Sequence, residues 1–214
     1  MGPRLEASGD VGYSVDHSHP LTWPPRGHKV RTMAPTLRSE RLTLIPAELR
    51  QSGQLWRLVR TAPAIEGFPD PGTGPEGVAR WLGGALAEGT QVWIIRSAGG
   101  LSGLVTAAMP DSGVASVGYY VEEACSERGV AAEALCTAVS WLFEKRGAHR
   151  VELRVAAGST ALWRVAQQAG FALEGVARES WRWGGVWHDA RSYALLRRDW
   201  AAARRRVEVA GAAA

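Results

Sequence analysis

Three runs rich in branched and aromatic residues follow one another with only turn-length breaks between them. They are QVWIIRS (91–97), LSGLVTAAM (101–109) and GVASVGYYV (113–121), separated by Gly99-Gly100 and by PDSG. Tight turns join antiparallel neighbours, so the three runs read as a meander. The meander stops at EEACSERGVAAEAL, a loop with a lone glycine that opens into a helical run with Ala131, Leu135, Ala138 and Leu142 on one face. A chain that turns from hairpins to a strand-to-helix junction must build a sheet covered by helices, which excludes an all-β barrel and an all-helical bundle.

The flanking segments complete the order. SERLTLIPA alternates as a strand, AELRQSGQLWRLVRTA reads as an amphipathic helix, and a Pro/Gly-rich loop leads to a second helix at VARWLGGALAEG. After the long helix, HRVELRV alternates as a strand. STALWRVAQQAG then has Leu162, Val165, Ala166 and Ala169 on one helical face, with Ser159 as N-cap and Gly170 closing it. FALEGVARESWRW and VWHDARSYALL flank Gly184-Gly185, a two-residue hairpin turn. That turn pairs Trp183 with Val186, Arg182 with Trp187, Trp181 with His188 and Ser180 with Asp189. Period two then gathers Trp181, Trp183, Val186 and His188 on one face, so that one face enters the core and the other walls an acceptor groove or a homodimer contact.

The expected fold is α+β: one domain with a mixed, mostly antiparallel sheet of about seven strands and about four helices, in the order β-αα-βββ-α-β-α-ββ. Residues 1–36 lack periodicity and read as an irregular arm, 37–200 as the domain, and 201–214 as a C-terminal tail. Met33 stands just before the first strand, so a core beginning there is a natural expectation.

Composition narrows the function classes. The chain has 214 residues, and its net charge of +4 is carried almost wholly by scattered Arg, with Lys only at Lys29 and Lys145. That distribution lacks the basic stripe of a nucleic-acid surface. No apolar run reaches the roughly 18 residues of a membrane span, and a cytoplasmic protein with no membrane partner is expected. Cys125 and Cys136 have no metal-ligand spacing and read as reduced thiols, so no metal is expected.

The junction SERGVAAEAL has two readings from its residues alone. Gly129 and the alanines ease a turn and let a helix sit close to the sheet, or they leave helix-end N–H groups open to a phosphate. Taken with VGYYVEEACSERGVAAEAL, HRVELRV, RVAQQAGFALEGVARES and WHDARSYALL in that order, the chain resembles the GCN5-related N-acetyltransferase (GNAT) superfamily. Within it, the likeness is to the branch of the ribosomal-protein N-terminal acetyltransferases RimJ and RimL.

That resemblance implies acetyl-CoA as cosubstrate, with its diphosphate on the backbone of Ser126, Glu127, Arg128, Gly129, Val130, Ala131 and Ala132. It implies a pantetheine arm lying along main-chain groups near Tyr119 and Val121, between the diverging strands VGYYV and VELRV. Ser126 stands where the family has Gln or Arg, so Arg128 is left to supply the cation. Ser159 stands where the family has a CoA-holding Asn, and Leu162 where it has a Ser near the leaving thiolate.

Acyl transfer to an amine needs a free lone pair, a polarised thioester carbonyl and a proton for the thiolate. A backbone N–H near Tyr120 or Val121 is the natural oxyanion donor. Glu179 and His188 are the candidate bases, and Tyr120 is the candidate acid in place of the missing Ser. The expected acceptor is the α-amine of a peptide N-terminus. A small amine, and a non-catalytic acyl-CoA-binding module, are the alternatives.

Overall fold

The computed structural model describes residues 34–60, 62, 68–69, 74–110, 112–122 and 129–212, with side chains through residue 205. In chain order the elements are β1 (Leu37–Arg38), β2 (Thr43–Pro46), a 3-10 turn (Leu49–Gln51), α1 (Ser52–Val59), α2 (Gly74–Ala87), β3 (Gln91–Ser97), β4 (Gly100–Ala108) and β5 (Val114–Val121). They continue with α3 (Val130–Lys145), β6 (Arg150–Ala156), α4 (Thr160–Gln168), β7 (Ala172–Trp183), β8 (Val186–Leu196) and α5 (Arg197–Ala212). The expected α+β order is present, and the described residues hold eight strands against about seven expected and five helices against about four.

The eight strands form one sheet in the order β1-β2-β3-β4-β5-β6-β8-β7. All neighbours are antiparallel except β5 and β6. The parallel pair follows from the crossover through α3, since a parallel connection needs a helix-length return.

Both faces of the sheet are buried at its centre, which is why β3 reads as the continuous apolar run VWII. Trp93 and Ile95 join Tyr119, Leu135, Leu142, Phe143 and Tyr193 in a core beneath α3 and α4. Val92, Ile94, Leu104 and Tyr120 join Leu55, Leu58, Val78 and Leu82 in a second core beneath α1 and α2. Adjacent residues of one strand, Tyr119 and Tyr120, therefore serve opposite layers.

Two local expectations change. SERLTLIPA is strand only over Thr43–Pro46, because Ser39–Leu42 form a tight turn closed by Ser39 N–H to the Leu42 carbonyl at 3.0 Å. The helix expected over residues 47–62 divides into the 3-10 turn and α1, with Glu48 and Gln51 making a reciprocal capping box. α5 runs on past residue 200, and its Trp200 packs against Phe143 with ring centroids 5.2 Å apart and the planes tilted by 37°.

The hairpin turn has the left-handed backbone that a type I′ turn requires, with φ of +55° at Gly184 and +82° at Gly185. Trp183–Val186, Arg182–Trp187 and Trp181–His188 pair as expected. Ser180–Asp189 does not, because the register shifts between Ala177 and Trp181. Asp189 Oδ1 instead accepts the Glu179 N–H at 2.8 Å, holding Glu179 at φ +45° in a bulge. Among the described residues no helix is long and apolar enough to cross a membrane.

Candidate active site

The site begins where the sheet opens. β5 and β6 pair from Val114–Arg150 to Val117–Leu153, yet β5 continues to Val121 and β6 to Ala156. Beyond Val117 the two strands part, and each keeps its outer neighbour, β4 or β8.

Ladder alternation fixes which main-chain groups face that opening. The Glu122 N–H bonds the Ser102 carbonyl at 2.9 Å, so in the antiparallel β4–β5 register Tyr120 and Gly118 also direct their polar groups to β4. Tyr119 and Val121 direct theirs the other way, into the gap. On the facing strand, Ala157 N–H to Asp189 O and Arg197 N–H to His149 O set the β6–β8 alternation. Arg154 and Ala156 are thereby turned to the gap. Two strand edges separated beyond pairing distance can accept one extended chain between them.

The gap is tied at its helical side. The buried Tyr119 hydroxyl donates to the Leu162 carbonyl of α4 at 2.6 Å. Burial raises its pKa well above the usual phenol range, with a smaller contribution from the neighbouring Tyr193. The phenol is therefore a proton-bearing tie.

At the mouth of the gap α3 starts. Gly129 is its N-cap, at φ +70° and with no side-chain cap bond. The helix ladder opens with Glu133 N–H donating to Gly129 O at 3.0 Å, so the N–H groups of Val130, Ala131 and Ala132 lie ahead of the ladder. Val130 and Ala131 turn their side chains into the core and Ala132 is half-buried. The small side chain at 131 thus serves helix-to-sheet packing, while its N–H stays at the helix end. Ser126, Glu127, Arg128 and Cys125 lie outside the described residues.

Ser159 caps α4, its Oγ accepting the Leu162 N–H at 3.5 Å. Tyr120 is buried in the core beneath α1 and α2. His188 is half-buried against Trp181, with ring centroids 5.3 Å apart. Trp181 also meets Trp183 edge-on at 6.0 Å, and Trp183 packs on the Tyr120 core. The structure thus links Tyr120 to the hairpin face that carries His188. Glu179 stands apart from them, exposed in the β7 bulge on the sheet's edge strand.

One cluster at the helix end escaped sequence reasoning. Glu133, in the first turn of α3, accepts Ser39 Oγ at 2.7 Å and Arg41 N–H at 3.0 Å on Oε1, and Arg41 Nε at 2.7 Å on Oε2. Burial alone would raise its pKa, but the bonds from Ser39 and Arg41 hold the carboxyl below the usual range. The partners are 92 and 94 residues away in sequence, and only the charged start of SERLTL hinted at them.

An acetyltransferase (GNAT) domain model matches residues 41–172. The probable N-acetyltransferase YjcK of Bacillus subtilis (strain 168) is 34% identical over 85 residues, 40% of this chain and 47% of that protein. The chain thus spans about half the length of that curated relative. Among solved structures, RimL, a ribosomal L7/L12 α-N-protein acetyltransferase in complex with coenzyme A, superposes with a TM-score of 0.66 at 20% identity. That likeness covers 76% of this chain and 98% of the other. A spermidine N-acetyltransferase SpeG chimera from Vibrio cholerae and hSSAT gives 0.66 at 18% identity, covering 75% of this chain and 98% of the other. The structural likeness carries the fold, and the domain match spans more than half of the sequence, so the chain belongs to the GNAT acetyltransferase family.

Proposed function

We propose that the protein is an acetyl-CoA-dependent N-acetyltransferase acting on a primary amine, the α-amine of a peptide or protein N-terminus. The observation that carries this reading is the parting of β5 and β6 beyond Val117, together with an α3 that starts at a glycine with no side chain to cap it. The residues fit the cosubstrate: strand edges parted from one another suit the amide-bearing pantetheine arm, and helix-end N–H groups suit a diphosphate. Ser126, Glu127, Arg128, Gly129, Val130, Ala131 and Ala132 are assigned to the diphosphate, Tyr119 and Val121 to the arm, and Ser159 to the mouth of α4.

Acetyl-CoA supplies the activated acetyl group when bound. Of the two oxyanion donors expected near the thioester, ladder alternation favours the Val121 N–H, since that of Tyr120 is turned to β4. Tyr120 is assigned as the proton donor to the departing thiolate. An α-amine titrates near about 7.7–8.0 against about 10.4 for lysine, so at neutral pH it needs only weak assistance. His188, on the hairpin face linked to Tyr120, or Glu179, reaching through a water, is assigned that assistance. Direct attack by the amine forms the amide without an acyl-enzyme.

Mass spectrometry of products from acetyl-CoA and paired peptides tests the reading. One peptide carries a free N-terminus and a blocked lysine, and its counterpart the reverse, alongside a panel of small amines. The account expects faster turnover of the free N-terminus across pH 7 to 9. Preference for lysine or a small amine overturns the acceptor assignment, and CoA binding without any acetylated product overturns catalysis.

A further inference from the structure

We propose that Leu162 sets the acyl-chain length of the cosubstrate: its side chain enters the opening between β5 and β6 and leaves room there for an acetyl group but not for a longer acyl chain. This inference rests on the acetyl-CoA reading above and names the residue of that site which selects the acyl group.

The placement comes from packing. The sheet keeps its two cores apart, with Tyr119 in the core beneath α3 and α4 and Tyr120 in the core beneath α1 and α2. Leu162 belongs to α4, on the first of these sides. It nevertheless packs against both cores, and among the described residues it is the one partly buried side chain that does so. A side chain from one layer meets the opposite layer only where the sheet between them is open. That place is the stretch beyond Val117, where β5 and β6 no longer pair. The Tyr119 hydroxyl, donating to the Leu162 carbonyl at 2.6 Å, brings the same residue to the same stretch by a separate contact.

The backbone of this residue is held at both of its polar groups. Its N–H goes to the Ser159 cap and its carbonyl to Tyr119, so the side chain issues from a fixed point. Leu162 is only half-buried although it meets two cores, and part of its surface therefore stays accessible to a ligand. An extended arm lying along Tyr119 and Val121 meets that apolar surface within the opening. Leucine has no group to bond or protonate anything, so it acts there by volume alone. A close-packed surround accepts the methyl of an acetyl group in van der Waals contact and resists added methylenes.

Affinity is the first readout and turnover the second. Calorimetry without any amine present is expected to show the parent binding butyryl-CoA roughly tenfold more weakly than acetyl-CoA, the scale of discrimination that an apolar pocket gives for added methylenes. In Leu162→Ala, butyryl-CoA affinity is expected to rise roughly tenfold while that for CoA stays at the parent value. The ratio of kcat/KM for butyryl over acetyl transfer to a common amine should rise with it. Leu162→Met, which conserves volume, is expected to keep the parent's order of affinities. A parent indifferent to chain length, or an unchanged order in Leu162→Ala, overturns the proposal and leaves the cosubstrate reading standing. Equal losses for CoA and both acyl-CoAs in Leu162→Ala would mean that the residue only braces α4, and overturn it too. A parent that binds none of the three ligands strikes the acetyl-CoA reading itself. Should Leu162→Ala fold poorly, the milder Leu162→Val decides: it is expected to gain affinity for propionyl-CoA over the parent, and no gain contradicts the assignment.

Discussion

The Tyr119 hydroxyl donates to the Leu162 carbonyl at 2.6 Å, joining β5 to the first turn of α4 beside the opening between β5 and β6. The same strand segment that leaves the β6 ladder is thereby anchored to the helix that follows β6. The bond holds the β5 bank of that opening to α4 independently of any ligand.

Removing it has a pH signature. Tyr119→Phe is expected to lower stability by about 1 kcal/mol near pH 8, the typical worth of one hydrogen bond. Burial raises the folded-state pKa of Tyr119 above its unfolded value of about 10. Its stabilisation is therefore complete below about pH 10 and declines above it, as the unfolded chain releases a proton that the folded chain keeps. Urea melts at pH 8 and pH 10.5 should show the parent's advantage over the variant narrowing. A constant or widening gap would show that Tyr119 is not the protonated tie described.

The start of α3 separates backbone from charge. Gly129 has φ +70°, a conformation that Asn tolerates and Glu does not. Gly129→Glu also sets a carboxylate at the start of α3, where it repels an incoming phosphate. Calorimetry is expected to show CoA affinity lowered roughly tenfold or more in Gly129→Glu and near the parent value in Gly129→Asn. Equal affinity of all three proteins would place the diphosphate elsewhere.

How much of this was legible in the sequence depends on the reach of each contact. The β7–β8 hairpin was readable because Gly184-Gly185 and period-two alternation are local, and three of its four expected pairs form. The fourth fails because the Asp189 side chain takes the Glu179 N–H, a side-chain choice that alternation does not encode. The opening between β5 and β6 was legible only through resemblance, since no local pattern says where two parallel strands stop pairing. Arg41 was invisible for a plainer reason: its partner Glu133 is 92 residues away, and either charge alone reads as solvated surface.

The C-terminal helix belongs to the core by packing. Phe143 is fully buried and packs against Trp200 of α5, the two rings tilted to one another. Phe143→Ala is expected to cost about 3–5 kcal/mol, as large-to-small core changes do. Denaturant unfolding followed by circular dichroism checks it. A loss below about 1 kcal/mol would mean that this face of α3 relaxes around the cavity, contrary to the packing described.

The most direct measurement of the central claim, that acetyl-CoA lies between the parted strands and against the start of α3, is residue-resolved amide hydrogen exchange with and without CoA. The account predicts slowed exchange at Tyr119 and Val121 and at Val130, Ala131 and Ala132, whose N–H groups face the gap or precede the helix ladder. It predicts little change at Tyr120 and Gly118, already turned to β4. Protection confined to other parts of the sheet, with these N–H groups exchanging as in the free protein, would contradict it.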